Sequence, residues 1–145
     1  MFQATEVAAV LLVLTFVTLA ALHAYWASGG TWGASVVLPE TSEGSKVFSP
    51  RVLQTSVVAA LLVIAAIVVM DAARFISLPT PAWAVNTGIW VLAASLFLRA
   101  VGEFCYVGFF KRVRGTRFAR WDSRLYSPLC LVMAALTFVV AVSVG

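Results

Sequence analysis

Four long apolar stretches alternate with shorter polar segments along the chain. The apolar stretches cover residues 7–25, 52–70, 83–110 and 128–144. Each is within or above the ~17–25 residues that a helix needs to cross a bilayer. The pattern therefore predicts an all-α fold, an integral membrane bundle of four transmembrane helices. Short connections would place helices that are neighbours in sequence antiparallel to each other.

Local signals mark the predicted ends of these helices. Gly29 and Gly30 follow the first stretch, and glycine suits the left-handed geometry at which helices often end. Each later stretch is preceded by a hydroxyl residue and a proline: Ser49-Pro50, Thr80-Pro81 and Ser127-Pro128. A hydroxyl can cap a helix, and proline at the first helical position loses no hydrogen bond. These pairs predict the starts of helices two, three and four.

The third stretch is the longest, from Trp83 to Phe110. At ~1.5 Å per residue, a helix of this length exceeds the ~30 Å hydrocarbon core. We therefore expect the third helix to tilt or to project beyond the bilayer.

The composition excludes an ordinary water-soluble domain. Hydrophobic residues make up 62% of the chain and charged residues 11%, against about half and about a quarter in soluble domains. The 145 residues predict a single domain over residues 1–145. No Lys or Arg precedes the first apolar stretch, which is too long for the core of a signal peptide, so we interpret it as a retained span.

The positive charge predicts an orientation. The net charge is +4, and most Lys and Arg residues lie in loop 1 (residues 28–51) and loop 3 (residues 111–126). The positive-inside bias then predicts that both loops are cytoplasmic and both termini outside. We expect loop 3 to contact anionic lipid headgroups. Nucleic acid is not an expected partner, because the loop has no aromatic stacking platform.

Arg99 and Glu103 form the most unusual feature, because they interrupt an apolar stretch. Their spacing of four places them on one helix face, where they can pair. An unpaired charge at membrane depth costs at least ~2.5 kcal/mol, so we expect the pair to face the bundle interior. It is open whether the pair only fixes helix register or forms a ligand or proton site.

Other polar residues share the predicted depth of this pair. We expect one polar recess opening to the cytoplasm, and its candidate ligand-binding residues are His23, Trp26, Trp32, Arg99, Glu103, Asp122 and Tyr126. His23 also fits an interfacial belt position, and Asp122 also fits a carboxylate that fixes a turn. With one histidine per chain, neither a metal nor another cofactor is predicted.

Three segments also resemble a known family. HAYWASGGTWG, RAVGEF and TRFARWDSRLYSPLC are similar to small bacterial membrane proteins with four predicted spans, grouped as domain of unknown function 3995. The residues that carry the resemblance are His23, Trp26, Gly29, Gly30, Trp32, Gly33, Arg99, Gly102, Phe118, Asp122, Tyr126, Ser127 and Pro128. The resemblance covers nearly the whole chain. It implies a multi-pass protein of the bacterial inner membrane, but no activity.

Three functional hypotheses follow. The first is a non-enzymatic protein that binds or passes a small or amphipathic ligand, with Arg99 recognising an anionic group. The second is a membrane-embedded enzyme in which His23 and Glu103 perform acid-base chemistry on a lipid-like substrate, which requires a reach of roughly 3 Å. The third is an accessory subunit or homo-oligomer, in which small residues of the third helix pack on another membrane protein.

Overall fold

The computed structural model describes residues 2–41, 43–47 and 49–144. Its helices are α1 (Phe2–Ala27), α2 (Ala34–Val37), α3 (Val52–Ala72), α4 (Ala82–Val101), α5 (Arg117–Trp121) and α6 (Ser127–Val144), and a π-helical turn (Asp122–Tyr126) joins α5 to α6. Four segments are long and apolar enough to cross a membrane: Gln3–Ala27, Val52–Ala72, Ala82–Val101 and the continuous Arg117–Val144. The predicted all-α class with four apolar helices is confirmed.

The four long helices surround one core. The most extensive contacts are those of α1 with α3 and of α4 with α6, and smaller interfaces join α6 to α1 and α3 to α4. The order around the bundle is therefore α1, α3, α4, α6, with α1 and α4 on a diagonal. Side chains from every long helix meet in the core, including Leu12, Phe16, Val69, Ile89 and Val140. In a bilayer, such close packing contributes more to helix association than hydrophobicity does.

The prolines mark two of the predicted helix starts, but the hydroxyl residues before them do not act as caps. α3 begins at Val52 with Arg51 at the N-cap, and the Arg51 N–H donates to Gln54 Oε1 at 2.8 Å. α4 begins at Ala82 with Pro81 at the N-cap. The Thr80 hydroxyl instead donates to Asp71 Oδ2 at 2.9 Å.

α6 begins at Ser127, as predicted, but Ser127 is not the start of the fourth transmembrane segment. That segment already begins ten residues earlier, at Arg117, where the Thr116 hydroxyl accepts from the Ala119 N–H at 3.1 Å. It then passes through the π-helical turn, in which the Ser127 N–H donates to the Asp122 carbonyl. Pro128 lacks a backbone N–H, but the continuous helix tolerates it because the π-helical turn changes the pattern of backbone hydrogen bonds just before this residue.

The predicted extent of the third helix is also wrong, because α4 ends at Val101. Gly102 has φ of 90°, and the chain folds back on the helix end. In the structure, loop 3 therefore comprises residues 102–116. The Phe109 and Phe110 N–H groups donate to the Ala100 and Val101 carbonyls at 2.9 and 3.5 Å, which would otherwise lack partners. The 20 residues of α4 span about 30 Å, so the helix matches a bilayer core without projecting.

The glycine pair ends α1 as the sequence predicts. Gly29 has φ of 98°, and the Gly30 N–H donates to the Tyr25 carbonyl at 2.9 Å. This bond spans the last turn, as expected for a helix closed by a left-handed residue.

Candidate functional site: a buried carboxylate held by two cations

The Asp122 carboxylate is the most completely buried charged group in the described residues, with 0% exposure. Its Oδ1 accepts from Arg99 Nη2 at 2.9 Å. Its Oδ2 accepts from the Gly108 N–H and Lys111 Nζ, both at 2.8 Å, and from the Ser127 hydroxyl at 3.1 Å. A buried carboxylate is tolerated when its lone pairs are satisfied in this way. These five residues are called the Asp122 cluster below.

The π-helical turn places Asp122 and Ser127 together. Residues five apart lie on clearly different faces of an α-helix, whereas a π-helical turn brings them into register. The Ser127 side chain therefore reaches the Asp122 carboxylate, and both residues are buried with 0% exposure. Single π-helical turns inside α-helices are common at functional sites.

Lys111 crosslinks loop 3 to the start of the fourth transmembrane segment. Its Nζ donates to Asp122 Oδ2, the Gly108 carbonyl and the Ser123 hydroxyl, each at 2.8 Å. Lys111 is only 2% exposed. Its burial is tolerated because each of the three ammonium protons has an acceptor.

Arg99 differs from Lys111 because its donors are not all used. Its side chain is 36% exposed, and Nη2 pairs with Asp122. Its other terminal nitrogen, Nη1, is shielded from solvent and has no hydrogen-bond partner within the described residues. The Asp122 cluster combines two cations with one carboxylate, so it has a net charge of +1. Both features favour an additional anionic or acceptor group beside Arg99.

The predicted pairing of Arg99 with Glu103 is wrong, because α4 ends before Glu103. The Glu103 carboxylate turns toward loop 3, where it accepts from the N–H groups of Cys105 at 3.2 Å, Val107 at 3.1 Å and Tyr106. Glu103 is exposed and organises the loop that presents Gly108 and Lys111 to Asp122.

His23, Trp26 and Trp32 form a separate group at the end of α1. His23 Nδ1 lies 2.7 Å from the Leu19 carbonyl oxygen, and its ring meets Trp26 edge to face with centroids 5.1 Å apart. Trp26 Nε1 donates to the Trp32 carbonyl at 2.8 Å. In the described part of the chain, no hydrogen bond joins His23 to Glu103. His23 lies on α1, whereas Glu103 follows the end of α4, and α1 and α4 lie on a diagonal of the bundle. The geometry does not favour acid-base chemistry by these two residues.

Tyr126 connects loop 1 to the Asp122 cluster. Its hydroxyl donates to the Val36 carbonyl in α2 at 3.3 Å, and its ring packs on Phe118 with centroids 6.1 Å apart. α2 also contacts α5. Loop 1 therefore folds over the end of the bundle that holds the Asp122 cluster.

Sequence reasoning missed Lys111, Gly108 and Ser127 as members of the site. The sequence pattern places Lys111 in the basic loop and predicts Ser127 as a helix cap. Lys111 is the first cation after the apolar run that ends at Phe110, and this position is the one sequence signal of its burial. No local signal points to the Gly108 amide, because its role depends on the path of the loop.

Other chemistry near the site is limited. Within the described residues, no three His, Cys, Asp or Glu side chains gather as a metal site. Cys105 and Cys130 are both free and half-buried. Coulombic repulsion from the neighbouring Cys105 raises the pKa of the Tyr106 phenol above its ordinary value.

Comparison with known proteins identifies a family. The family model described as "Protein of unknown function (DUF3995)" matches residues 16–137, which include every member of the Asp122 cluster. No curated protein and no solved structure matches the chain. The match covers most of the four-helix bundle, and the chain therefore belongs to the DUF3995 family of proteins of unknown function.

Proposed function

We propose that this protein binds a small or amphipathic ligand through an anionic group that pairs with Arg99 at the loop 1 and loop 3 end of the bundle. The observation that carries the proposal is the buried Nη1 of Arg99, which has no hydrogen-bond partner in the described residues. A buried donor without an acceptor costs about 1–3 kcal/mol. A phosphate or carboxylate oxygen would remove this cost.

Charge supports an anion over a neutral acceptor. Asp122 balances one of the two cations of the Asp122 cluster, and an anionic group would balance the other. Arg99 is held from one side by Asp122 Oδ1, so its planar fork is oriented before the ligand arrives. Preorganised guanidinium groups recognise phosphate and carboxylate with two parallel hydrogen bonds.

The partial exposure of the Arg99 side chain supports access for the ligand, which must displace the groups that shield Nη1 in order to reach that nitrogen. Asp122 and Lys111 are sealed in the cluster, whereas the Arg99 side chain is 36% exposed. In this proposal Arg99 contacts the ligand, while Asp122 and Lys111 position Arg99. Trp32 lies in loop 1, and Trp26 of α1 and Tyr126 of the π-helical turn hold loop 1 over this end through their hydrogen bonds to the Trp32 and Val36 carbonyls. His23 and Glu103 support the surrounding helix end and loop.

The proposal is tested by titrating the purified protein in dodecyl maltoside with dodecyl phosphate and, separately, with inorganic phosphate. We expect dodecyl phosphate to raise the thermal midpoint saturably, and Arg99→Gln to weaken its binding at least ~10-fold, equivalent to ~1.4 kcal/mol. Arg74→Gln, which removes an exposed cation from the opposite end of the bundle, is the matched control. Inorganic phosphate distinguishes recognition of the anion alone from recognition of an amphipath.

Two results would contradict the proposal. One is equal binding of dodecyl phosphate by the wild type and a folded Arg99→Gln variant. The other is an equal loss of binding in Arg74→Gln, because the interaction would then depend on total charge.

We also propose that loops 1 and 3 face the cytoplasm of a bacterial inner membrane. Exposed cations at that end include Arg51, Arg112 and Arg114, whereas Arg74 is the cation in the connection at the other end. The positive-inside bias then places both termini outside. Alkaline phosphatase fused to the C-terminus should be active, and green fluorescent protein at the same position should be dark. If the green fluorescent protein fusion is fluorescent and the alkaline phosphatase fusion is inactive, the C-terminus lies in the cytoplasm and the proposed orientation is wrong.

A further inference from the structure

A lateral groove on the outer surface of the bundle lies between α4 and α6. It has a volume of about 580 Å³, and its lining is almost entirely apolar. Ala94 and Ala135 are among the small residues that line it, and the rings of Trp90, Phe97 and Phe138 rise beside them. The groove does not include any member of the Asp122 cluster.

A pair of aromatic rings lies at the end of the groove away from loop 3. Trp90 and Phe138 meet edge to face there, with ring centroids 5.5 Å apart. Along α4 the lining continues from Trp90 to Phe97, and along α6 from Phe138 to Leu131. The groove therefore runs from the ring pair toward the basic end of the bundle.

The length of this path matches one leaflet of a bilayer. Trp90 lies eleven residues before Val101, where α4 ends, which corresponds to about 16 Å of helix. Half of a ~30 Å hydrocarbon core is ~15 Å. The ring pair thus lies near the depth of the bilayer midplane, where the acyl chain of a lipid ends.

An exposed cation lies beyond the loop 3 end of the groove. Arg124 lies in the π-helical turn that leads into α6, seven residues before Leu131, which corresponds to about 10 Å along the helix. The Arg124 side chain is exposed, and the hydrogen bonds and ion pairs of the described residues do not include it. It lies fourteen residues before Phe138, about 20 Å along the helix, which is the depth expected for a lipid phosphate.

We propose that this groove is a specific binding site for an anionic phospholipid of the leaflet on the loop 3 side. One acyl chain fills the groove down to the ring pair of Trp90 and Phe138, and the phosphate pairs with Arg124. A second transmembrane helix fits the groove less well, because helix packing in membranes relies on small residues that let backbones approach. Here the exposed rings of Trp90, Phe97 and Phe138 stand in the way. This site is independent of the ligand proposed at Arg99.

The test is native mass spectrometry of protein reconstituted with equal amounts of phosphatidylglycerol and phosphatidylcholine and then released from detergent. Ala94→Phe and Ala135→Phe fill the groove, and both positions are exposed, so the added rings can be accommodated. Arg124→Gln removes the cation. The matched controls are Ala60→Phe, on the exposed surface of α3, and Arg74→Gln, at the opposite end of the bundle.

We expect the wild type to retain one phosphatidylglycerol, and each groove variant to lower its occupancy at least ~10-fold, equivalent to ~1.4 kcal/mol. Arg124→Gln should remove the preference over phosphatidylcholine, while both controls retain the lipid. Unchanged retention in folded groove variants would overturn the proposal. So would an equal loss in Ala60→Phe, equal retention of both lipids by the wild type, or a dimer that the groove variants dissociate.

Discussion

Replacing Asp122 with asparagine is expected to destabilise the protein by about 3–5 kcal/mol, the usual cost of removing one partner from a buried ion pair. The substitution leaves Lys111, which is 2% exposed, without a counter-charge. It also replaces an acceptor oxygen with a donor group that faces other donors. Thermal unfolding in detergent, followed by tryptophan fluorescence and circular dichroism, measures the effect.

Asp71→Asn is the matched control for this substitution. The Asp71 carboxylate accepts from the Leu78 N–H at 3.1 Å and from the Thr80 hydroxyl at 2.9 Å, so we expect a loss of only about 1 kcal/mol. The double variant Lys111→Met with Asp122→Asn should be less destabilised than the sum of its single variants, because the unpaired ammonium is gone. Equal effects of Asp122→Asn and Asp71→Asn would show that the buried carboxylate is not a main support of the fold.

Substituting alanine at Gly102 or Gly108 is expected to cost at least about 3 kcal/mol, because strain and overpacking add at the same place. Both residues have φ of 90°, a region that side chains disfavour. A Cβ atom at Gly102 would overlap the Val107 carbonyl, and one at Gly108 would overlap the Val101 carbonyl. These two glycines let loop 3 pass directly over the end of α4.

The control for the glycine variants is Gly115→Ala in the same loop, because a Cβ atom there has no neighbour within 4 Å in the described structure. We expect the thermal midpoint of Gly115→Ala to stay near the wild-type value. Gly102→Ala and Gly108→Ala should also weaken dodecyl phosphate binding, because the Gly108 amide and Lys111 help to hold Asp122 against Arg99. Wild-type stability in either variant would contradict the close approach of loop and helix.

The number of transmembrane helices could be predicted because it depends on local sequence. Apolar length and the Gly29-Gly30 signal act within a few residues, so α1 and α3 lie close to their predicted positions. The end of α4 could not be predicted in the same way. Residues 102–110 are mostly apolar and continue the hydrophobic stretch. The helix ends because Gly102 adopts a positive φ and because the Phe109 and Phe110 N–H groups bind its last carbonyls.

The candidate site was predictable only in part for the same reason. Arg99 and Asp122 were both expected near the loop 3 end, but they are 23 residues apart and no spacing rule connects them. The rule that did apply, four residues along a helix, led to Glu103 and failed because Gly102 ends the helix first. The π-helical turn has no recognised sequence signature in DSRLY, and without it Ser127 would not reach Asp122.

In the proposed site, Asp122 holds Arg99 so that its second terminal nitrogen, Nη1, receives an anion. Measuring the affinity of Arg99→Lys for dodecyl phosphate tests this claim most directly, because lysine keeps the charge and loses the planar fork. If both terminal nitrogens are needed, one for Asp122 and one for the anion, binding should weaken at least ~10-fold, equivalent to ~1.4 kcal/mol, while the fold is retained. Wild-type affinity in Arg99→Lys would contradict the claim, since a point charge would then be sufficient.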